Sequence, residues 1–201
     1  MKRGVLWMVA TAAAAQPVSV GIRAGVPLTD AFRAARGGSL SYATDSKRYV
    51  IGPTLDLHLP FRTSVTFELL YRRLGYTSTT ISAAPIETTT TANLFEFPVM
   101  LKHRFNEGMA RPYLAAGAAF NKLSGVKQLV GGVLRGRPPE LDKESTAGLV
   151  FAGGVELGAL ALRVSPELRY TYRNSAHFRD AVSGLLESNK NQFEFLIGLT
   201  F

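Results

Sequence analysis

The sequence predicts an all-β protein, an eight-stranded antiparallel up-and-down transmembrane β-barrel. Large apolar residues recur at every second position in eight segments, which is the pattern of a strand with one apolar face. Short and long connections alternate between these segments, as they do in bacterial outer-membrane barrels. The last segment keeps its alternation up to the aromatic residue Phe201, as expected for a strand that closes a barrel.

The eight predicted strands follow one another along nearly the whole chain. In order, they cover residues 18–28, 49–59, 65–72, 95–105, 114–120, 149–157, 160–172 and 193–201. Short turns are predicted at 60–64, 106–111 and 158–159, and long loops at 29–48, 75–93, 122–147 and 173–192. Segments 36–39 and 88–91 are predicted as polar coil, and 180–187 as a helical turn. This layout predicts a periplasmic N-terminus and four long loops that face outside.

Two features of the residue pattern indicate that the apolar face contacts lipid. A soluble lipocalin-like barrel, the alternative, would turn its polar face outward. Glycines occupy the polar face, as the narrow interior of an eight-stranded barrel requires: Gly21, Gly25, Gly52, Gly117, Gly154 and Gly198. Aromatic residues form two girdles, with Tyr49, Tyr71, Phe95, Phe120, Phe151, Tyr170, Tyr172 and Phe193 at the long-loop end and Phe61, Phe105 and Phe201 at the other.

Charge on the polar face is the third feature, because the two signs nearly cancel. The bases are Arg23, Arg72, Lys102, Arg104, Arg163 and Arg169, and the acids are Asp56, Glu68, Glu96, Glu156, Glu167 and Glu194. Charges enclosed in a narrow interior must pair, since a buried charge without a partner is strongly destabilising. The sequence therefore predicts a salt-bridged interior that is plugged by its own side chains.

The first residues have the pattern of a secretory signal peptide. Lys2 and Arg3 form a basic start, residues 5–12 are an apolar stretch, and the alanines at 13–15 fit a cleavage site. The sequence thus predicts a signal peptide over 1–15 and a barrel domain over 16–201, in the bacterial outer membrane.

Composition narrows the classes of partner. The 201-residue chain has no cysteine, which excludes disulfides and thiolate metal sites. Its formal net charge is +8, but the basic residues are spread over strands and loops and form no patch interleaved with aromatics. We therefore expect no nucleic acid partner. The expected anionic partners are outer-membrane lipid and lipopolysaccharide, and we expect a monomer.

Three stretches of the chain resemble the PorT-like family of small outer-membrane β-barrel proteins. Residues 20–30 resemble the first strand of that family, 95–105 with 111–117 its central hairpin, and 166–170 its penultimate strand. His103 departs from the pattern, which has tyrosine there. The resemblance implies the fold and the location, and it implies no catalytic residue. The strand ending at Phe201 resembles the signal that barrel-assembly machinery recognises, so that machinery is an expected partner.

The histidines give no metal or catalytic motif. They are His58, His103 and His177, and no two have the spacing of metal ligands. We expect His58 to point inward near Asp56 as a hydrogen-bonded residue, His103 to lie at the lipid interface, and His177 to be solvated. The glycine-rich stretch 131–136 is predicted as a flexible external loop, because it lacks the strand and helix that flank a phosphate-binding loop.

The sequence therefore predicts no catalytic, cofactor-binding or metal-binding residue. A lipid-modifying enzyme, acting by lipid A acyl transfer or deacylation, is one alternative. Ser165 faces inward by parity and does not suit a lipid-facing nucleophile, but Ser41, Asp45 and His177 stay open as groups at the barrel mouth. A small gated channel is the other alternative. The favoured prediction is a non-enzymatic barrel that acts in envelope integrity or surface interaction.

Overall fold

A computed structural model describes residues 17–34, 36–37, 40–44, 46–80, 86–130, 133–135, 144–159, 162–175 and 186–201. Eight long strands form a closed antiparallel barrel, which confirms the predicted fold class. They are β1 (Val18–Pro27), β2 (Val50–Leu59), β3 (Thr63–Glu68 and Leu70–Thr80, interrupted at Leu69), β4 (Ile86–Arg104), β5 (Ala110–Val130), β6 (Ser145–Ala159), β7 (Leu162–Arg173) and β8 (Asn191–Thr200). Among the described residues, no helix is long and apolar enough to cross a membrane.

The barrel closes between its first and last strands. Strands β1 and β8 pair antiparallel from Gly21 opposite Thr200 to Pro27 opposite Glu194. Each of the other strands pairs with its neighbours in sequence, so the ladder continues around the wall. A closed wall satisfies the backbone hydrogen bonds of every strand without water, which a lipid environment demands.

Alternation puts the apolar side chains on the outside of this wall. Val20 and Leu114 are 56% and 58% exposed, whereas the inward residues Arg23 and Glu167 are each 1% exposed. An apolar surface of this extent outside and a charged interior are the reverse of a soluble barrel. The structure therefore confirms the predicted assignment of the two faces.

Strands β3, β4 and β5 are much longer than predicted. Their ladders continue to Thr80 opposite Ile86 and to Thr88 opposite Val130. The prediction of a long loop over 75–93 is therefore wrong: residues 75–80 and 86–93 are a β-hairpin, and the predicted coil at 88–91 is strand. The predicted loop at 122–147 is also partly strand, at 122–130 and 145–147.

Short strands accompany these extensions at the long-loop end of the barrel. Leu40–Thr44 pairs with the outer part of β3 and with Arg36–Gly37, Val133–Arg135 pairs with β5, and Phe32–Ala34 pairs with Leu186–Ser188. The predictions of coil at 36–37, of a flexible loop at 133–135 and of a helical turn at 186–187 are therefore wrong, because these residues are strand. The remainder of the predicted coil and helical turn, at 38–39 and 180–185, lies outside the described residues, as does the predicted signal peptide.

Outward and inward residues exchange polarity along the extended strands. On β3, Tyr71 points outward and Arg72 inward, but two residues later Arg73 is exposed and Leu74 is 3% exposed. The same exchange occurs on β4 and β5. The buried apolar residues of this outer region form one cluster: Ala31, Leu74, Tyr76, Ala92, Leu94 and Leu123. The buried charges of the barrel therefore lie at membrane level, beside two small apolar clusters, and the larger apolar side chains of the outer region are buried beyond them.

Candidate functional site

The charged interior of the barrel is the candidate functional site. In the described part of the chain it holds six buried cations and six buried anions, each no more than 6% exposed. They are Arg23, Arg72, Lys102, Arg104, Arg169 and Arg173, with Asp56, Glu68, Glu96, Glu156, Glu167 and Glu194. Equal numbers of the two signs remove the net charge, and the side chains divide into three clusters along the barrel axis.

The middle cluster is centred on Glu167. Its carboxylate accepts hydrogen bonds from Arg169 Nη2 at 2.7 Å and Tyr113 Oη at 2.7 Å, and it pairs with Arg23. Glu68 lies between the same two arginines, 2.7 Å from Arg169 Nη1 and 3.2 Å from Arg23 Nε. Two cations thus share two anions, and charge-assisted hydrogen bonds of this kind are among the strongest in proteins.

The cluster at the short-turn end joins β2, β4 and β6. Lys102 Nζ lies 3.0 Å from Asp56 Oδ2 and 3.2 Å from Glu156 Oε1. Arg104 Nε lies 2.7 Å from Glu156 Oε2, and Thr66 donates its hydroxyl to Asp56. The Lys102 ammonium also stands 5.0 Å from the centre of the Tyr113 ring, which connects this cluster to the middle one.

The third cluster lies toward the long-loop end. Arg72 Nη1 is 3.5 Å from Glu194 Oε1, and Arg173 Nη2 is 3.0 Å from Glu96 Oε2. Arg173 was not predicted from the sequence, because it lies one residue beyond the predicted strand end at 172. Arg163 was predicted in its place. Arg163 is only partly buried, and none of the salt bridges between described residues includes it.

Inward glycines make room for these large side chains. A Cβ at Gly154 would lie 2.7 Å from the Tyr113 hydroxyl, and one at Gly198 would meet Ser165 Oγ. The Cβ at Gly154 would also lie 2.8 Å from Tyr113 Cζ, and the one at Gly198 would stand 3.6 Å from Arg23 Nε, in ordinary contact. The predicted role of glycine on the polar face is therefore confirmed at these positions.

His58 has a serine partner that the residue pattern does not predict. Its Nε2 atom and Ser19 Oγ are hydrogen bonded at 2.8 Å, near the short-turn end of the barrel. His58 lies inward as predicted, but the carboxylate of Asp56 is bound by Lys102 and Thr66. A serine–histidine pair without a carboxylate to orient the imidazole lacks the third member of a catalytic triad.

The other predicted candidates are dispersed. His103 is outward and packs edge-on against the Phe105 ring, with ring centres 5.1 Å apart, and Ser165 is buried inside the barrel. Asp45, His177 and the side chain of Ser41 lie outside the described residues. The described residues contain no group of three or more histidine or carboxylate side chains placed to hold a metal ion.

The charged clusters fill the barrel at the level of Glu96 and Glu194. The cavity beside these two residues, also lined by Val50 and Leu70, has a volume of about 10 Å³. That is the space of a single water molecule at most. At this level the interior is therefore a packed plug.

Two solved outer-membrane proteins share this architecture. The outer membrane protein OprG from Pseudomonas aeruginosa superposes with a TM-score of 0.53 at 11% identity, over 92% of this chain and 94% of its own. Neisserial surface protein A superposes with a TM-score of 0.51 at 14% identity, over 92% of this chain and 96% of its own. No family model and no curated protein sequence matches the chain. The likeness shows the fold, which is that of the small eight-stranded barrels of bacterial outer membranes.

Proposed function

We propose that this protein is a non-enzymatic integral barrel of the bacterial outer membrane, whose plugged interior is a rigid scaffold for its extracellular part. The scaffold acts in envelope integrity or in surface interaction. The observation that carries the proposal is that each buried cation at membrane level has a buried carboxylate within 3.5 Å. Such a network rigidifies a barrel and closes it to bulk water, because each charge has a partner of the opposite sign.

The extracellular part supports a surface role. Strands β3, β4 and β5 continue beyond the apolar band and have their own buried apolar cluster, so they form a built structure above the membrane. Ordered sheet with exposed polar side chains is suited to contact envelope components or molecules outside. Within this proposal the protein is a monomer surrounded by outer-membrane lipid and lipopolysaccharide.

Membership of the PorT-like family and assembly through the strand that ends at Phe201 belong to the same proposal. Phe201 is 63% exposed at the short-turn rim, where assembly machinery in the periplasm could reach it. A non-enzymatic role is supported by the separation of the candidate groups, with His103 on the outward face of the wall and His58 and Ser165 on the inward face.

Two measurements on the purified barrel, its conductance and its ability to modify lipid A, test this proposal together. The refolded protein is placed in planar bilayers, and separately incubated with lipid A that is then analysed by mass spectrometry. We expect no stable open channel and no change in lipid A mass. Steady conductance would show that the plug opens, and an acylated or deacylated product would show an enzyme.

A matched pair of variants makes the conductance result specific. Glu167→Gln removes one charge from the middle cluster, while Glu107→Gln removes one from an exposed pair with Arg62 at the short-turn rim. If the plug closes the barrel, conductance should appear or increase in the first variant and not in the second. If the conductance of both variants is the same as that of wild type, the middle cluster does not seal the barrel.

A further inference from the structure

The lipid-facing wall contains a groove that runs across strands β4 to β8. It has a volume of about 490 Å³ and is lined by Leu101, Leu114, Phe151, Tyr170 and Phe193, with Ala116 and Gly153 as its smallest residues. The register places Ala116 opposite Phe151, and Gly153 opposite Leu114, on adjacent strands. Large side chains therefore surround two small ones, which leaves a depression on a surface that lipid covers.

Two exposed cations lie on the outward face at the outer edge of the apolar band. Arg73 is on β3 opposite Asn93, and Lys122 is on β5 opposite Phe95, so the two flank β4. From the spacing of strands and residues, their Cα atoms are roughly 10–12 Å apart. No salt bridge between described residues includes either of them.

The end of the groove at Ala116 and the cation Lys122 lie one leaflet apart. Ala116 and Lys122 face outward on the same strand and are six residues apart, which is about 20 Å along the strand. With the usual strand tilt of about 40°, the depth difference is about 15 Å, close to half of the roughly 30 Å hydrocarbon core. An acyl chain whose headgroup is at the level of Lys122 would therefore reach the depth of Ala116.

We propose that this surface binds one phosphorylated glycolipid of the lipid A type from the outer leaflet. One acyl chain lies in the groove, and Arg73 and Lys122 contact phosphates of the headgroup. The tilt that sets the depth also displaces the groove sideways from Lys122 by roughly 13 Å, so the ligand needs a wide headgroup with several chains. Two cations 10–12 Å apart fit a headgroup with more than one phosphate better than a single phosphodiester. The inference rests on the proposed location in the outer membrane.

Binding of purified lipid A to the refolded barrel in detergent tests the inference. Native mass spectrometry counts bound lipid, and titration gives the Kd. We expect one lipid A per barrel. The double variant Arg73→Ala/Lys122→Ala should weaken binding about 25-fold, because each cation near a membrane surface raises the affinity about fivefold. Ala116→Phe, which fills the groove, should weaken it about tenfold by excluding several methylenes.

Matched controls keep the test specific. Val20→Phe adds the same side chain to the lipid face of β1, away from the groove, and Arg62→Ala removes a cation at the opposite rim. Neither should change the Kd. In detergent gels, a folded barrel migrates faster before boiling than after it, and every variant should show this shift. The shift distinguishes a variant that does not fold, which would overturn the proposed function, from one that folds but does not bind lipid.

Three outcomes would overturn the inference. Equal affinity of wild type and both groove and cation variants would mean that the wall takes lipid without selection. Cardiolipin binding as tightly as lipid A, or dephosphorylated lipid A binding as tightly as the phosphorylated form, would remove the phosphorylated glycolipid as ligand. A shift from dimer to monomer caused by Ala116→Phe, with lipid affinity unchanged, would assign the groove to a second copy of the chain.

Discussion

The lower and upper halves of strand β4 have opposite polarity on the same two faces. At membrane level, Lys102 and Glu96 point inward and are buried, while Leu101 and Val99 are exposed outward. Beyond Phe95, the inward residue is Leu94 at 1% exposure and the outward ones are polar. One continuous strand therefore has a charged inner face in its lower half and an apolar inner face in its upper half.

The difference shows that the surroundings of the barrel, and not the barrel itself, decide which side chains face inward. Where lipid surrounds the wall, apolar residues do not need to face inward to leave water, and the interior can hold charges that must pair with one another. Where water surrounds it, the ordinary hydrophobic effect buries the apolar face. The exchange marks the outer boundary of the bilayer. From Phe105 to Phe95 the outward face, apolar except for His103, rises about 26 Å after allowing for tilt, close to the roughly 25 Å band of such barrels.

The largest effect expected from this comparison is the loss of a charge at membrane level. Glu167→Gln leaves Arg23 and Arg169 with one carboxylate, Glu68, between them. Removing one partner of a buried ion pair costs about 3–5 kcal/mol. Urea unfolding in liposomes should show a loss of that size. A loss below about 1 kcal/mol would show that water reaches the cluster and screens it.

The upper region should instead respond to lost apolar volume. Leu94→Ala deletes a fully buried side chain from the apolar cluster and should cost about 2–4 kcal/mol in the same unfolding experiment. Leu101→Ala, on the lipid face of the same strand, is the control. It should cost less than about 1 kcal/mol, because lipid tails replace the contacts that the leucine made. Equal losses would mean that Leu94 also faces lipid.

Added charge on the outward face locates the boundary between the two regions. Val99→Arg puts a guanidinium into the apolar band and should cost about 2–4 kcal/mol. Thr89→Arg puts it on the same face of β4, ten residues further out, and should change the free energy of unfolding by less than about 0.5 kcal/mol. Comparable destabilisation by both substitutions in liposome unfolding would place the bilayer boundary beyond Thr89 and contradict the exchange of polarity.

The same exchange explains how far the fold could be predicted. Period-two alternation with one apolar face locates all eight strands at membrane level, and parity gives their inner and outer residues. At Arg72–Arg73 the apolar positions move to the other face, so a search for one continuous apolar face ends there. The pattern therefore predicts loops over the extensions of β3, β4 and β5, although Leu74 and Tyr76 continue the alternation in the opposite phase.

The interior site was predictable in composition and less so in its pairings. The cancelling charges of the polar face gave eleven of the twelve buried ionic residues correctly, but partners depend on register between strands distant in sequence. Glu68 and Arg169, for example, are 101 residues apart and lie on β3 and β7, which do not pair. The Ser19–His58 hydrogen bond likewise follows from the β1–β2 register, which alternation does not fix.

The smallest effect is expected at the short-turn rim, where an ion pair is exposed. Arg62 Nε lies 2.6 Å from Glu107 Oε1, and the two side chains are 50% and 73% exposed, so water screens the pair and its contribution is about 0–1 kcal/mol. Arg62 also has φ of 59°, a left-handed conformation that glycine adopts without strain. Arg62→Gly should therefore lose the pair, gain relief of strain, and leave the free energy of unfolding within about 0.5 kcal/mol of wild type.

Arg62→Ala loses the same pair and keeps the strain, so it should be about 1 kcal/mol less stable than Arg62→Gly. Liposome unfolding at low and high salt separates the two contributions, because salt weakens only the ion pair. A loss of 3 kcal/mol in Arg62→Gly would mean that an exposed pair contributes as much as the buried cluster around Glu167, and burial would no longer explain the difference between the two.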